Sequence, residues 1–95
     1  MTDASEPHAV RVVLPAALLP LFAGAPAEVT VAACSVAAAM AALDARWPGM
    51  RDRLCDSHPA IRRHINVFVN GERATLATSL PPGAEMVVTT AISGG

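Results

Sequence analysis

The sequence has 95 residues and a formal net charge of −1 at pH 7, and 53% of its residues are hydrophobic. This length suits one domain, and the charge lacks the basic excess that nucleic-acid-binding proteins show. No apolar run reaches the roughly 18 residues of a membrane span, and the polar first seven residues do not resemble a secretory signal. We therefore expect a cytoplasmic protein with no nucleic-acid partner and no membrane partner.

Hydrophobic residues alternate with other residues over residues 8–14 and again over residues 28–33, which predicts two strands. Residues 16–22 between them are apolar and predict a short helical turn. We expect the two strands to pair as an antiparallel hairpin with a long, structured connection.

Apolar residues then recur at helical spacing after Ser35, a preferred N-cap residue. The stripe consists of Val36, Met40, Leu43 and Trp47. It predicts a helix that ends at the Pro-Gly pair of residues 48–49 and buries all four stripe residues. A further helical turn is predicted over residues 50–55, and a break over residues 57–59.

The second half of the chain has the pattern of strands. Residues 65–69 alternate, and the following Asn70-Gly71 pair favours a type I′ hairpin turn. A short return strand is predicted over residues 72–76, a turn over residues 81–83 and a last strand over residues 85–91. The element order predicts an α+β domain, with one main helix packed on one face of a mixed sheet. We divide the chain into a disordered tail (1–8), the domain (9–91) and a flexible Gly-Gly tail (92–95).

Familiar catalytic and metal-binding motifs are absent from the sequence. Cys34 and Cys55 are interpreted as buried thiols in a reducing compartment, and no histidine has the spacing of a metal site or of a paired base. Three aspartates and a group of basic residues are interpreted as solvated surface. They are Asp44, Asp52 and Asp56, and Arg46, Arg51, Arg53, Arg62, Arg63 and His64.

The terminal pair Gly94-Gly95 follows the last predicted strand after a spacer of Ile92 and Ser93. At average glycine usage, such a pair ends a chain only about once in 200 sequences. Glycine has no Cβ, so backbone of this composition fits a narrow channel, and residues 91–95 reach roughly 17 Å when extended. The sequence therefore predicts a tail that presents the Gly95 carboxylate to the active site of another protein. Adenylation would activate that carboxylate, and a sulfur nucleophile could then displace AMP.

The sequence resembles the MoaD/ThiS family of ubiquitin-like sulfur carriers over nearly its whole length, from Val10 to Gly95. The similar segments are residues 10–15 (VRVVLP), 47–54 (WPGMRDRL), 63–72 (RHINVFVNGE), 82–87 (PGAEMV) and the Gly94-Gly95 end. The resemblance implies a β-grasp fold with parallel first and last strands at the sheet centre. It implies activation by an E1-like adenylyltransferase and sulfurtransferase that uses ATP, a Gly95 thiocarboxylate, and sulfur delivery to a synthase subunit or another accepting enzyme.

The length of residues 48–64 is more similar to the molybdopterin and cysteine-biosynthesis carriers than to the thiamine carriers. The chain departs from the common Val-Ala-Gly-Gly ending, since residues 89–95 read TTAISGG. We expect a carrier that is not itself an enzyme, that binds no metal or cofactor, and that docks through an exposed apolar patch including Phe68. The alternatives are a ubiquitin-like modifier joined through Gly95, a β-grasp interaction domain, and a thiol enzyme that uses Cys34 or Cys55.

Overall fold

A computed structural model describes residues 7–56 and 60–90 of the chain. The strands are β1 (His8–Val13), β2 (Glu28–Ala33), β3 (Ile65–Val69), β4 (Glu72–Arg73) and β5 (Glu85–Thr90), and the helices are α1 (Val36–Arg46), α2 (Met50–Leu54) and a 3₁₀ helix (Ala16–Leu21). The predicted break at residues 57–59, most of the N-terminal tail and all of the C-terminal tail lie outside the described residues. Within the described ranges, no helix combines the length and the apolar character that a membrane crossing requires.

The strands form one mixed sheet in the order β2-β1-β5-β3-β4. β1 and β5 run parallel at the centre, and β2, β3 and β4 pair antiparallel with their neighbours. The predicted α+β fold, with a helix on one face of the sheet, is confirmed. The parallel pairing of the first and last strands, which the resemblance implied, is confirmed as well.

Alternation along the strands separates a closed face of the sheet from an open face. The closed face packs against the helices and carries the buried strand side chains: Val10, Val12, Val29, Val31, Ala33, Ile65, Val67, Val69, Met86 and Val88. The 3₁₀ helix adds Leu18 to this core, and α2 adds Met50 and Leu54. A core built mainly of aliphatic side chains follows from the aromatic content of only 3%.

Helix α1 begins as predicted, because the Ser35 hydroxyl oxygen accepts a hydrogen bond from the Ala38 N–H at 3.1 Å. Val36, Met40 and Leu43 are buried, but the prediction that Trp47 is fully buried is wrong, since its side chain is only half-buried. Trp47 is the C-cap residue, with φ −132° and ψ 87°, so its side chain leaves the helical stripe. The guanidinium carbon of Arg46 lies 5.0 Å from the centroid of its ring.

The β3–β4 turn has the predicted type I′ character, with φ of 51° at Asn70 and 87° at Gly71. The return strand is shorter than predicted and ends at Arg73 instead of Leu76. The backbone turns away directly afterwards, because the Thr75 N–H donates to the Thr78 hydroxyl oxygen at 2.9 Å. This local side-chain bond competes with continued pairing.

Candidate partner-binding surface

The open face of the sheet carries the side chains that alternate with the core residues. Phe68 points to this face and is half-buried, which confirms the direction predicted from the alternation in β3. Val13 and Val87 are also half-buried on this face. Among the described residues no helix covers this side, because α1 and α2 contribute their buried side chains to the closed face.

Register brings these three apolar side chains side by side. Phe68 pairs with Val87 across β3 and β5, and Val87 pairs with Val13 across β5 and β1. Directly paired residues hold their side chains on one face within contact distance. We call Phe68, Val87 and Val13 the apolar row. Local alternation predicted Phe68, but Val87 became its neighbour through the antiparallel pairing of β3 with β5, and Val13 joined the row through the parallel pairing of β1 with β5.

Polar and charged residues flank the apolar row on both sides. Val13 pairs with Glu28 on one side, and Phe68 pairs with Arg73 on the other. The Arg73 guanidinium donates a hydrogen bond to the side-chain oxygen of Asn66. An apolar centre with a polar rim is the composition of many protein–protein interfaces.

A small ion-pair group lies on the same face, centred on Arg11. Its Nε is 2.7 Å from Glu28 Oε1, and one terminal nitrogen is 3.6 Å from Glu85 Oε2. The hydrogen bond and the charge of Arg11 lower the pKa of Glu28, and the same contact raises the pKa of Arg11. All three side chains are about half exposed, so solvent screens the pairs and they contribute little to stability.

The C-terminal tail follows β5, which lies between β1 and β3. The last described residue of that strand, Thr90, pairs with Ile65 at the end of the sheet opposite the Asn70-Gly71 turn. The predicted tail residues Ile92, Ser93, Gly94 and Gly95 lie outside the described residues. β1 pairs with β5 only as far as Val87, whereas β3 pairs with it as far as Thr90, so β3 holds the end of β5 from which the tail continues.

Solved structures with similar folds identify the family of the chain. SAMP1 from Haloferax volcanii is 30% identical, with a TM-score of 0.75 over 92% of this chain and 99% of that one. A chain of the BexX/CysO complex from Amycolatopsis orientalis is 26% identical, with a TM-score of 0.80 over 90% of this chain and 99% of that one. Mycobacterium tuberculosis CysO is 27% identical, with a TM-score of 0.78 over 87% and 99%.

The chain belongs to the MoaD/ThiS-type family of ubiquitin-like β-grasp sulfur carriers. The similarity covers nearly all of the solved chains, so it applies to the whole domain. No family model matches the sequence, and no curated protein sequence matches it either. The relationship is therefore visible mainly through the fold, together with the segments quoted above.

The surroundings of the two cysteines bear on the alternative of a thiol enzyme. Cys55 is buried, and burial raises the pKa of its thiol, which disfavours the reactive thiolate. Cys34 is only half-buried, so the prediction of two buried thiols is wrong for this residue. Within residues 7–56 and 60–90, no cluster of three His, Cys, Asp or Glu side chains could hold a metal ion.

One carboxylate interpreted as solvated surface has a structural role that the sequence analysis missed. An oxygen of Asp44 accepts hydrogen bonds from the Gly49 N–H at 3.0 Å and the Arg51 N–H at 3.1 Å. Asp44 therefore caps the start of α2. Because Asp44 belongs to α1, the two hydrogen bonds also link α1 to α2. The Asp-x-x-x-x-Gly spacing gives no recognised signal, because the contact depends on the bend at residues 47–49.

The predicted basic surface is exposed but is interleaved with acidic groups. A groove of about 690 Å³ beside the helices is lined by Arg51 and Arg62 together with Asp52. The Arg62 Nε donates to the main-chain oxygen of Asp52 at 2.8 Å. This balance of charge gives the groove no clear preference for an anion, which leaves the open face as the better candidate for partner binding.

Proposed function

We propose that this protein is a cytoplasmic sulfur carrier whose working group is the Gly95 carboxylate. The observation that carries the proposal is the combination of a Gly94-Gly95 sequence with a central strand of a β-grasp sheet that ends at Thr90, with three residues between it and the pair. The family membership supports the same function. The chain provides the tail that enters the active site of the partner and the surface that the partner binds, and the partners provide the catalytic groups.

The proposed reaction begins on an E1-like adenylyltransferase that uses ATP. The Gly95 carboxylate attacks the α-phosphorus of ATP, which forms an acyl adenylate and releases pyrophosphate. A persulfide of the sulfurtransferase then attacks the acyl carbon and displaces AMP, which forms an acyl disulfide. A second thiol attacks the cysteine sulfur of the sulfurtransferase, so the S–S bond to the acyl sulfur breaks, a disulfide forms between that cysteine and the second thiol, and the Gly95 thiocarboxylate leaves. That thiocarboxylate would donate its sulfur to a synthase subunit or another accepting enzyme that makes molybdopterin or cysteine.

The globular body has two tasks in this proposal. The end of β5 directs Ile92, Ser93 and Gly94 into the channel of the partner, where glycine gives the least steric hindrance. The apolar row binds the partner outside the channel, with Phe68 as its aromatic side chain and Val87 at its centre. Phe68, Val87 and Val13 are half-buried in the free protein, so a partner can remove further apolar area from water.

A second candidate function is a protein modifier, and one comparison favours it. The Haloferax volcanii protein that is 30% identical is described as small archaeal modifier protein 1. A modifier would use the same tail and the same adenylation, but the activated carboxyl would pass to an amine of another protein. The chain itself has no lysine that could serve as an acceptor.

The intact mass of the protein from its native host tests the proposal. A sulfur carrier contains a fraction in which one oxygen of the Gly95 carboxylate is replaced by sulfur. A modifier instead gives conjugates of higher mass on other proteins, which digestion traces to Gly95. Unaltered protein under sulfur-limiting and sulfur-replete growth, together with an absence of conjugates, would contradict both functions.

A further inference from the structure

The connection between β1 and β2 is apolar along its whole length. From Val12 to Ala27 the sequence reads VVLPAALLPLFAGAPA, with no polar or charged side chain. Connections between strands usually run over the surface, where Gly, Pro, Asn, Asp and Ser dominate. We call residues 14–27 the apolar connection.

Only part of the apolar connection is needed for the core. Leu14 and Leu18 are buried, and Leu19, Phe22 and Ala25 pack partly against the core. The other residues except Pro15 are exposed: Ala16, Ala17, Pro20, Leu21, Ala23, Gly24, Pro26 and Ala27. Leu21 is 53% exposed and is the large hydrophobic residue most open to water in the described part of the chain. A single exposed leucine is ordinary, but a surface stretch with no polar side chain indicates a binding site.

The apolar connection is an ordered surface in the structure. The Leu14 N–H donates to the Ala27 carbonyl at 2.8 Å, which closes its base. Within it, the Leu18 N–H donates to the Pro15 carbonyl at 3.0 Å and the Phe22 N–H to the Leu19 carbonyl at 3.2 Å. Pro15 and Pro20 restrict the backbone further. A surface held in this way loses little conformational entropy on binding.

The position of the apolar connection relates it to the C-terminal tail. β1 and β5 are parallel neighbours, with Val13 level with Val87. The connection therefore leaves β1 at the same end of the sheet at which β5 reaches Thr90. The Gly95 carboxyl is at most roughly 17 Å along the chain from that point. A protein that encloses the tail must therefore come close to this end of the sheet.

We propose that the exposed apolar connection, with Leu21 as its most prominent side chain, is a second docking contact for the adenylating enzyme that holds the tail. The inference rests on the proposed function and adds a contact away from the apolar row. Because the connection has no charge, the matching surface of the enzyme is expected to be apolar. The contribution of this contact should then depend little on ionic strength, unlike that of ion pairs.

The experiment measures ATP–pyrophosphate exchange by the E1-like enzyme of the source organism at varied concentrations of the full-length carrier. In Leu21→Ser, the KM for the carrier should rise about tenfold, which corresponds to about 1.4 kcal/mol. The kcat should stay within about twofold, because the tail and its carboxyl are unchanged. The same ratio of KM values is expected at low and high salt.

Two further variants control for hydrophobicity and for folding. Ala41→Leu places a leucine on the exposed side of α1, and it should leave KM unchanged. The double variant Leu21→Ser/Ala41→Leu removes one surface leucine and adds another. Its KM should be raised as much as that of Leu21→Ser. Thermal melting should give the same Tm for all three variants within a few degrees, because none of the changes is in the core.

The outcomes separate this inference from the proposed function. If the wild-type protein supports exchange and Leu21→Ser has the same KM, the second contact is wrong and the proposed function stands. A rise in KM that is restored by Ala41→Leu, or that follows a large loss in Tm, contradicts the contact as well. A wild-type dimer that Leu21→Ser dissociates would assign this surface to a second copy of the chain. If the wild-type protein supports no exchange, the proposed function fails and the inference fails with it.

Discussion

At one end of the sheet, the β3–β4 turn is held by polar contacts, whereas at the other end an apolar connection faces water. The Asn70 side-chain oxygen accepts from the Glu85 N–H at 3.1 Å, and the Asn70 N–H donates to the Glu85 carbonyl at 2.9 Å. We call this the hairpin end and the opposite one, where β5 reaches Thr90, the tail end. The hairpin end satisfies its own polar groups, while the tail end leaves apolar area for a partner. The β3–β4 turn itself therefore offers a partner less apolar area than the apolar connection at the tail end does.

The largest effect on stability is expected in the core that supports both ends. Leu43 is completely buried, so Leu43→Ala should lower the free energy of unfolding by about 2–5 kcal/mol. Leu21→Ala makes the same chemical change at the exposed tail end and should stay within about 0.5 kcal/mol of wild type. Urea denaturation of both variants measures the two values. Similar losses for both would contradict the assignment of Leu21 to a free surface.

A matched pair of glycines compares backbone strain at the two ends. Gly71 at the hairpin end has φ +87° and Gly24 in the apolar connection has φ +82°, and a Cβ at either position would meet no atom within 4 Å. Gly71→Ala and Gly24→Ala should therefore each cost about 1–2 kcal/mol through the left-handed backbone alone. Only Gly24→Ala should also raise the KM for the adenylating enzyme. An equal rise in KM in both variants would contradict the proposed functional difference between the two ends.

Phe68 tests the apolar row separately from the core beneath it. Phe68→Ala should weaken association with the adenylating enzyme by about tenfold, the loss typical of an interface residue worth more than 1 kcal/mol. The fold should be nearly intact, because Phe68 lies on the open face. Val67→Ala is the matched control, since Val67 is buried on the closed face and should lose stability instead. Calorimetric titration and thermal melting distinguish the two. Loss of folding in Phe68→Ala without a binding defect would exclude its interface role.

The smallest effect is expected at Glu28. Its pKa is lowered in the folded protein by the hydrogen bond and the charge of Arg11, so the pair stabilises the fold above the ordinary glutamate pKa of about 4.3. That contribution is lost as the pH falls through the lowered pKa. Glu28→Gln should change the Tm only slightly at pH 7, and added salt should reduce the difference further. A difference in Tm that grows as the pH falls would contradict this assignment.

Local chemistry explains why much of the hairpin end was predictable from sequence. Asn70-Gly71 specifies a turn by itself, Ser35 caps α1 through a bond three residues away, and strand alternation identified the core of β3. Trp47 and Asp44 were interpreted wrongly because their surroundings depend on the bend between α1 and α2. Val87 was missed as the partner of Phe68 because the register of β3 with β5 is a tertiary feature, and Val13 was missed because a parallel pairing joins it to Val87, 74 positions away. The tail was predicted from its glycines, and the apolar connection was recognised as a helical turn but not as a surface.

The central claim, that the Gly95 carboxylate is the working group, is tested by changing the chain only at its last residue. Wild type, a variant lacking Gly95 and a variant with one added Ala after Gly95 are incubated with the adenylating enzyme, ATP and a sulfur donor. Intact mass should show a thiocarboxylate on wild type alone, because one residue displaces the reacting carboxyl by about 3.4 Å. All three should melt alike, and Cys34→Ala and Cys55→Ala should both still accept sulfur. Normal loading of the shortened or extended tail, or loss of loading in a cysteine variant, would contradict the account.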